Sequence, residues 1–171
     1  MAVLTLQGNK INTNGELPKV GSNAPDFMLV NSEMEDVSLT NYQGKKKLLS
    51  IVPSLDTPVC ATSTKKFDKL AKEKLDTVFI TISADLPFAT SRFCKTESVS
   101  NVITLSMMRS RNFAKDYGVL ITDGPLAGIT ARAIIVLNET NEVIYSELVS
   151  EIADEPDYNA ALALLLSLIH I

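Results

Sequence analysis

A chain of 171 residues, 46% apolar and 21% charged, has the size and balance of one folded domain and not of a disordered segment. Sixteen Lys and Arg against 20 Asp and Glu leave a net charge of −4, which speaks against nucleic-acid or anionic-membrane binding. No apolar run reaches membrane-spanning length, and Met1 to Thr13 has neither a basic head nor a long apolar core, so the expectation is a soluble cytoplasmic protein.

The first element is a β-hairpin. Val3–Leu6 alternates in the strand manner, Gly8-Asn9 follows, and residues 10–13 return. Residues 15–26 hold Gly15, Pro18, Gly21 and Pro25 and read as connecting chain. Residues 27–30 are a short apolar run of strand type, and 38–42 are ambiguous. Residues 47–52 form an apolar strand ended by Pro53. A helix follows over 60–75, with Phe67, Leu70 and Ala71 on one face and lysines on the other. Thr77–Ser83 is a second buried strand, 86–95 a helix with Pro87 in its first turn, and 101–105 a shorter strand. Residues 110–117 read as a helix stopped by Gly118. Strands over 131–137 and Val143–Leu148 are joined at hairpin length, and a helix starting at Pro156 closes the chain through Ile171. Strands alternating with helices, then a hairpin, predict a single α/β domain over 1–171. Its central sheet is mixed and carries helices on both faces.

Cysteine usage narrows the chemistry. Cys60, Cys94 and the lone His170 would all be needed, with a further group, for a closed zinc site. A Cys-His catalytic pair would need the distant His170 to fold back. There is no C-x-x-C dithiol. In Pro53-Ser54-Leu55-Asp56-Thr57-Pro58-Val59-Cys60 the strand ends, Thr57 suits the N-cap and Pro58 suits the first helical position. Cys60 then falls in the first turn, beside unpaired N–H groups and the positive end of the helix dipole. The thiolate is the nucleophilic form of cysteine, and an ordinary free thiol is only about 3% ionised at pH 7. A helix N-terminus supplies at most about 2 kcal/mol for an anion. A guanidinium about 4 Å away supplies about 4 kcal/mol at an effective dielectric near 20. Arg132, at the head of the apolar Ala133 to Leu137 run, either points to solvent or serves a site at the sheet end. Cys60 itself reads either as such a nucleophile or as a small buried hydrophobe.

The Pro53-x-x-x-Thr57-x-x-Cys60 pattern resembles the signature of peroxiredoxins, and Ser54-Leu55-Asp56-Thr57-Pro58-Val59-Cys60 is similar to their thiol peroxidase subfamily. The resemblance runs on through Ser83-Ala84-Asp85-Leu86-Pro87-Phe88-Ala89 with Arg92-Phe93-Cys94, and Lys115-Asp116-Tyr117-Gly118-Val119. It continues through Asp123-Gly124-Pro125-Leu126 with Ala131-Arg132-Ala133, and Glu155-Pro156-Asp157-Tyr158. It covers essentially the whole chain. It implies a thioredoxin-like fold and a peroxidase in which Cys60 is the peroxidatic thiolate and Cys94 the resolving cysteine. Thr57 and Arg132 would hydrogen-bond the sulfur and the peroxide, and Pro53 would shield the pocket from water. A Cys60 sulfenic acid would condense with Cys94 to an intramolecular disulfide. The resemblance further implies hydrogen peroxide and alkyl (organic) hydroperoxides as substrates, thioredoxin as external reductant and a homodimer. No bound cofactor, metal, haem or flavin is implied.

Cys60 and Cys94 fall on separate predicted helices, whose Cα atoms need not approach within the roughly 7 Å a disulfide allows. Disulfide formation is therefore expected to require partial unwinding around one or both. Without the resemblance, Cys94 reads first as another core cysteine, then as a redox partner or as half of a permanent structural bridge, the last disfavoured by the expected cytoplasmic setting. Lys45-Lys46-Lys47 and Lys65-Lys66 read as solvated faces, with a docking patch for an acidic partner as the alternative, Met107-Met108 as core or interface packing, Arg109 and Arg111 as surface charge or the rim of the site or of a dimer contact, and His170 as a surface residue. Two rival functions share the residues: a redox sensor using the same switch, and a thiol-disulfide oxidoreductase, against which the missing C-x-x-C speaks. A sensor consumes about one equivalent of peroxide, and an enzyme supplied with thioredoxin consumes many.

Overall fold

A computed structural model describes residues 1–110 and 112–167. Arg111, His170 and the end of the last expected helix lie outside the described residues. In chain order the elements are β1 (Val3–Leu6), β2 (Asn9–Asn12), β3 (Leu29–Val30), β4 (Asp36–Val37), a 3₁₀ turn (Leu39–Tyr42), β5 (Lys46–Ile51) and α1 (Pro58–Glu73). There follow β6 (Thr77–Ser83), α2 (Pro87–Glu97), β7 (Ile103–Ser106), α3 (Phe113–Asp116), β8 (Ala133–Leu137), β9 (Val143–Leu148) and α4 (Tyr158–Ser167).

Among the described residues, seven strands form one mixed sheet in the order β4–β3–β7–β6–β5–β8–β9. The β5–β6 and β6–β7 pairs are parallel, while β3, β8 and β9 run antiparallel to their neighbours. Strand alternation sends Leu48, Phe79, Ile134 and Val136 to one face, where Phe67 of α1, Phe93 of α2 and Ala161 and Leu165 of α4 cover them. Leu49, Ile51, Ile80, Ile82 and Ile135 face the other way, onto Phe113, Ala114 and Tyr117 around α3 and onto Leu39 of the 3₁₀ turn. Helices thus lie on both faces, as expected, but the three longer ones share one. Burying each such aliphatic side chain contributes about 1.5–3 kcal/mol relative to leaving it exposed.

Several boundaries differ from the sequence expectation for local reasons. The hairpin turn is Gln7-Gly8, both at positive φ, and Asn9 pairs with Leu6. Residues 27–30 contribute only Leu29–Val30, which pair with the unforeseen β4. The ambiguous stretch is a 3₁₀ turn fixed by a reciprocal Ser38–Asn41 capping box. The helix expected over 110–117 is the single turn α3. Lys46 and Lys47 are not on a solvated face: Lys47 is 0% exposed and its ammonium donates to Asn141 Oδ1 in the β8–β9 turn, while Lys46 pairs with Asp76 at 3.1 Å. Among the described residues no helix is long and apolar enough to cross a membrane.

Candidate active site

One edge of the sheet gathers the chemistry. Parallel β5, β6 and β7 end there, with Ile51 aligned to Ile82 and Ser83 to Ser106, while antiparallel β8 begins there, with Ala133 opposite Ile51. The loop after β5, the turn after β6 and the residue before β8 are therefore neighbours.

The loop delivers Cys60 as its local signals require. Thr57 takes the extended N-cap conformation, its carbonyl accepts from Ala61 N–H at 3.0 Å, and Pro58 opens α1 where no N–H partner is needed. Cys60 is in the first turn and is 0% exposed, packed with Val52, Leu55 and Phe93. Arg132 is 3% exposed, so its guanidinium faces the interior and not solvent. Its Nη1 donates to Cys60 Sγ at 2.9 Å and its Nε donates to the Ile152 carbonyl at 3.0 Å. A fixed positive charge and a helix N-terminus thus meet at one sulfur. Pro53 is buried in the same loop, directly after Val52. The Thr57 hydroxyl donates to the Ser54 carbonyl at 3.0 Å and makes no capping bond to the helix.

Cys94 lies in the last turns of α2, half-buried, and both cysteines are free. Burial, then the negative charge of Asp68, push its thiol pKa up, and a hydrogen bond to Thr104 opposes them. The Cys60 loop borders a groove of about 640 Å³ with Leu55, Phe88, Arg92 and Phe93, whereas Cys94 opens onto a separate cavity of about 540 Å³ with Tyr42 and Thr104. The structure therefore unites Cys60, Arg132, Thr57 and Pro53 at one place and sets Cys94 on the neighbouring helix, facing another way.

Sequence reasoning left three participants without a role. Asp85, in the turn between β6 and α2, accepts from Ser54 Oγ and from Leu55 N–H, both at 2.8 Å. The Ile152 carbonyl orients Arg132 from 20 residues away, a backbone contact with no sequence signal. Tyr158 stacks edge-on against Phe67 of α1, and burial pushes its phenol pKa up while its hydroxyl donates to Glu155. Among the described residues no group of three or more His, Cys, Asp or Glu side chains could hold a metal ion.

The family model described as Redoxin matches residues 19–162. The chain is 53% identical over 165 residues to the thiol peroxidases of Mycobacterium bovis and Mycobacterium tuberculosis, covering 96% of this chain and 99% of each relative. A solved peroxiredoxin-like protein from Aquifex aeolicus matches with a TM-score of 0.92 at 36% identity, over 98% of both chains. The solved thiol peroxidase from Chromobacterium violaceum matches with a TM-score of 0.91 at 29% identity, over 98% of this chain and 97% of that one.

Proposed function

The chain belongs to the thiol peroxidases of the Redoxin family, oxidoreductase enzymes of the peroxiredoxin type, and from that premise we propose that Cys60 attacks the peroxide and Cys94 resolves it. The observation that carries this reading is the 2.9 Å bond from Arg132 Nη1 to Cys60 Sγ at the start of α1. The Cys60 thiolate attacks one peroxide oxygen. The S–O bond forms, the O–O bond breaks, and the departing oxygen leaves as water or an alcohol after taking a proton. Arg132 steadies the negative charge, first on sulfur and then on the departing oxygen. The Thr57 hydroxyl leaves the Ser54 carbonyl, to which it donates at 3.0 Å, and turns to the peroxide, and Pro53 keeps water from the sulfur.

Cys60 is left as a sulfenic acid. The Cys94 thiolate attacks that sulfur, the S–S bond forms, the S–O bond breaks, and the hydroxide takes a proton and leaves as water. Because Cys94 opens onto a different cavity from the Cys60 loop, α1 or α2 unwinds locally for this step. A dithiol reductant then returns both thiols; we assign that role to thioredoxin. The Leu55, Phe88 and Phe93 side chains along the groove favour alkyl hydroperoxides beside hydrogen peroxide. The reading carries with it a cytoplasmic homodimer and no bound cofactor; exposed Leu86 and Phe88, the latter 73% exposed, offer apolar surface for a second copy.

Intact-mass analysis after peroxide treatment tests the assignment. The wild type is expected to lose two hydrogens, Cys94→Ser to accumulate sulfenic or over-oxidised Cys60, and Cys60→Ser to change little. Rapid peroxide consumption by Cys60→Ser would overturn the roles.

A further inference from the structure

Between the two cysteine-bearing helices sits a carboxylate that the reaction as written does not use. Asp85 follows Ser83, the last residue of β6, and precedes Pro87, the first of α2. Its backbone is fixed on both sides: its N–H donates to Ser83 Oγ at 3.3 Å, and its carbonyl accepts from Ser106 Oγ at 2.6 Å. Its side chain spends both oxygens on the Cys60 loop, Oδ1 accepting from Ser54 Oγ and Oδ2 from Leu55 N–H, each at 2.8 Å. Ser54 passes the constraint on. Its Oγ also accepts from Asp56 N–H at 3.1 Å, and its carbonyl holds the Thr57 hydroxyl at 3.0 Å.

We propose that Asp85 is a positioning residue for peroxide reduction: through Ser54 and Leu55 it fixes the loop that presents the Thr57 hydroxyl and the Cys60 sulfur. The proposal rests on Cys60 being the sulfur that attacks peroxide. The loop is tied at its start, where Val52 N–H donates to the Ile82 carbonyl, and at Leu55, which packs with Cys60; Asp85 sets the course of the chain between them. A misplacement of about 1 Å in a reacting geometry can cost about a hundredfold in rate. Charge-assisted bonds to a carboxylate are the stronger kind, and two of them, from a side chain and from the backbone, define an orientation and not merely a distance. Asp85 borders the same groove, but it makes no bond to either sulfur and both its carboxylate oxygens are taken up by Ser54 and Leu55, so its effect on Cys60 passes through the loop. It is also the root of α2. The Cys60 and Cys94 segments therefore leave from one anchored point, about 5 residues from Leu55 and about 9 from Asp85, lengths of chain that can meet once unwound.

The test measures stopped-flow oxidation by hydrogen peroxide in a Cys94→Ser background, which isolates the first step. Alkylation of Cys60 by iodoacetamide is followed in parallel, because it needs the same thiolate but not the peroxide geometry. Asp85→Ala is expected to slow the peroxide reaction about tenfold without slowing alkylation. Asp85→Asn, which keeps one acceptor oxygen, recovers part of the rate. Ser54→Ala slows the peroxide reaction in the same direction, and decides the matter alone should Asp85→Ala not fold. A peroxide rate unchanged in these variants, or peroxide and alkylation rates falling together, overturns the proposal. No rapid peroxide reaction in the Cys94→Ser parent sinks the Cys60 assignment itself and this inference with it, so the two failures are distinguishable.

Discussion

Arg132 Nη1 lies 2.9 Å from Cys60 Sγ although the two residues are 72 positions apart, one opening a helix and the other about to enter an antiparallel strand. The contact is held from behind. Arg132 Nε donates to the Ile152 carbonyl, Ile152 N–H donates to the Thr5 carbonyl, and Thr5 N–H donates to the Ser150 carbonyl. The N-terminal hairpin is thus a buttress for the guanidinium, and its apolar side packs Leu4 and Ile11 against Ile121, Ala131 and Ile152.

Leu4→Ala should therefore do two things. It should cost about 2–4 kcal/mol of stability through the cavity it leaves, and it should slow peroxide reduction several-fold by loosening Ile152 behind Arg132. Leu39→Ala, in the opposite core, should cost a similar amount of stability and leave the rate alone. Urea unfolding and peroxide kinetics at a temperature where both variants are folded make the comparison. Equal rates in the two variants would contradict the buttress.

On the proposed roles, disulfide formation by Cys94 should accelerate with pH. Burial first and the Asp68 charge second hold the Cys94 thiol above its ordinary value. A raised thiol pKa means that the folded helix favours the protonated form. Its contribution to folding is complete below the ordinary thiol range and fades as pH rises through the raised value. Raising the pH thus enlarges the thiolate fraction and also favours unwinding of α2, and both effects speed disulfide formation. Rapid-quench mass analysis starting from Cys60 sulfenic acid should show a rise of more than about tenfold from about pH 7 to about pH 9. A flat profile would contradict it.

Two glycines separate backbone strain from crowding. Gly118 ends the turn at α3 with φ +69, and a Cβ there would lie 2.1 Å from the Glu16 carbonyl oxygen. Gly44 has φ +83 and open space around it. Gly44→Ala should cost about 1 kcal/mol for the left-handed backbone alone, and Gly118→Ala well over about 3 kcal/mol because backbone must move. Chemical denaturation of both variants checks the order; equal losses would contradict it.

What could be read in advance was local. Thr57, Pro58 and Cys60 obey rules that act within one helical turn, so the N-cap, the first helical residue and the cysteine fell where expected. Val3–Leu6, Thr77–Ser83 and Val143–Leu148 were legible from alternation or continuous apolar character. Arg132 was ambiguous because its burial depends on Ile152 and Cys60, both distant in sequence. The burial of Lys47 is invisible in the sequence for the same reason: its partner Asn141 comes from the β8–β9 turn. The helix expected over 110–117 is only α3, which starts after its N-cap Asn112 and stops before Gly118, whose positive φ ends the turn. Asp85 stood in a recognisable segment, yet its partners Ser54 and Leu55 become visible only when β5 and β6 lie side by side.

On the proposed mechanism the buried Arg132 guanidinium makes Cys60 competent toward peroxide, and the second-order rates of peroxide reduction by Arg132→Met and Arg132→Lys show whether it does. Methionine keeps the bulk and removes the donors. Lysine keeps a charge but cannot serve Cys60 and Ile152 with one planar fork. Loss of about a hundredfold to a thousandfold is expected for methionine and a clear loss for lysine, in protein that remains folded. An Arg132→Met protein that reduces peroxide within about twofold of the wild-type rate would contradict the account, since about 2–4 kcal/mol of charge stabilisation would then have to come from elsewhere.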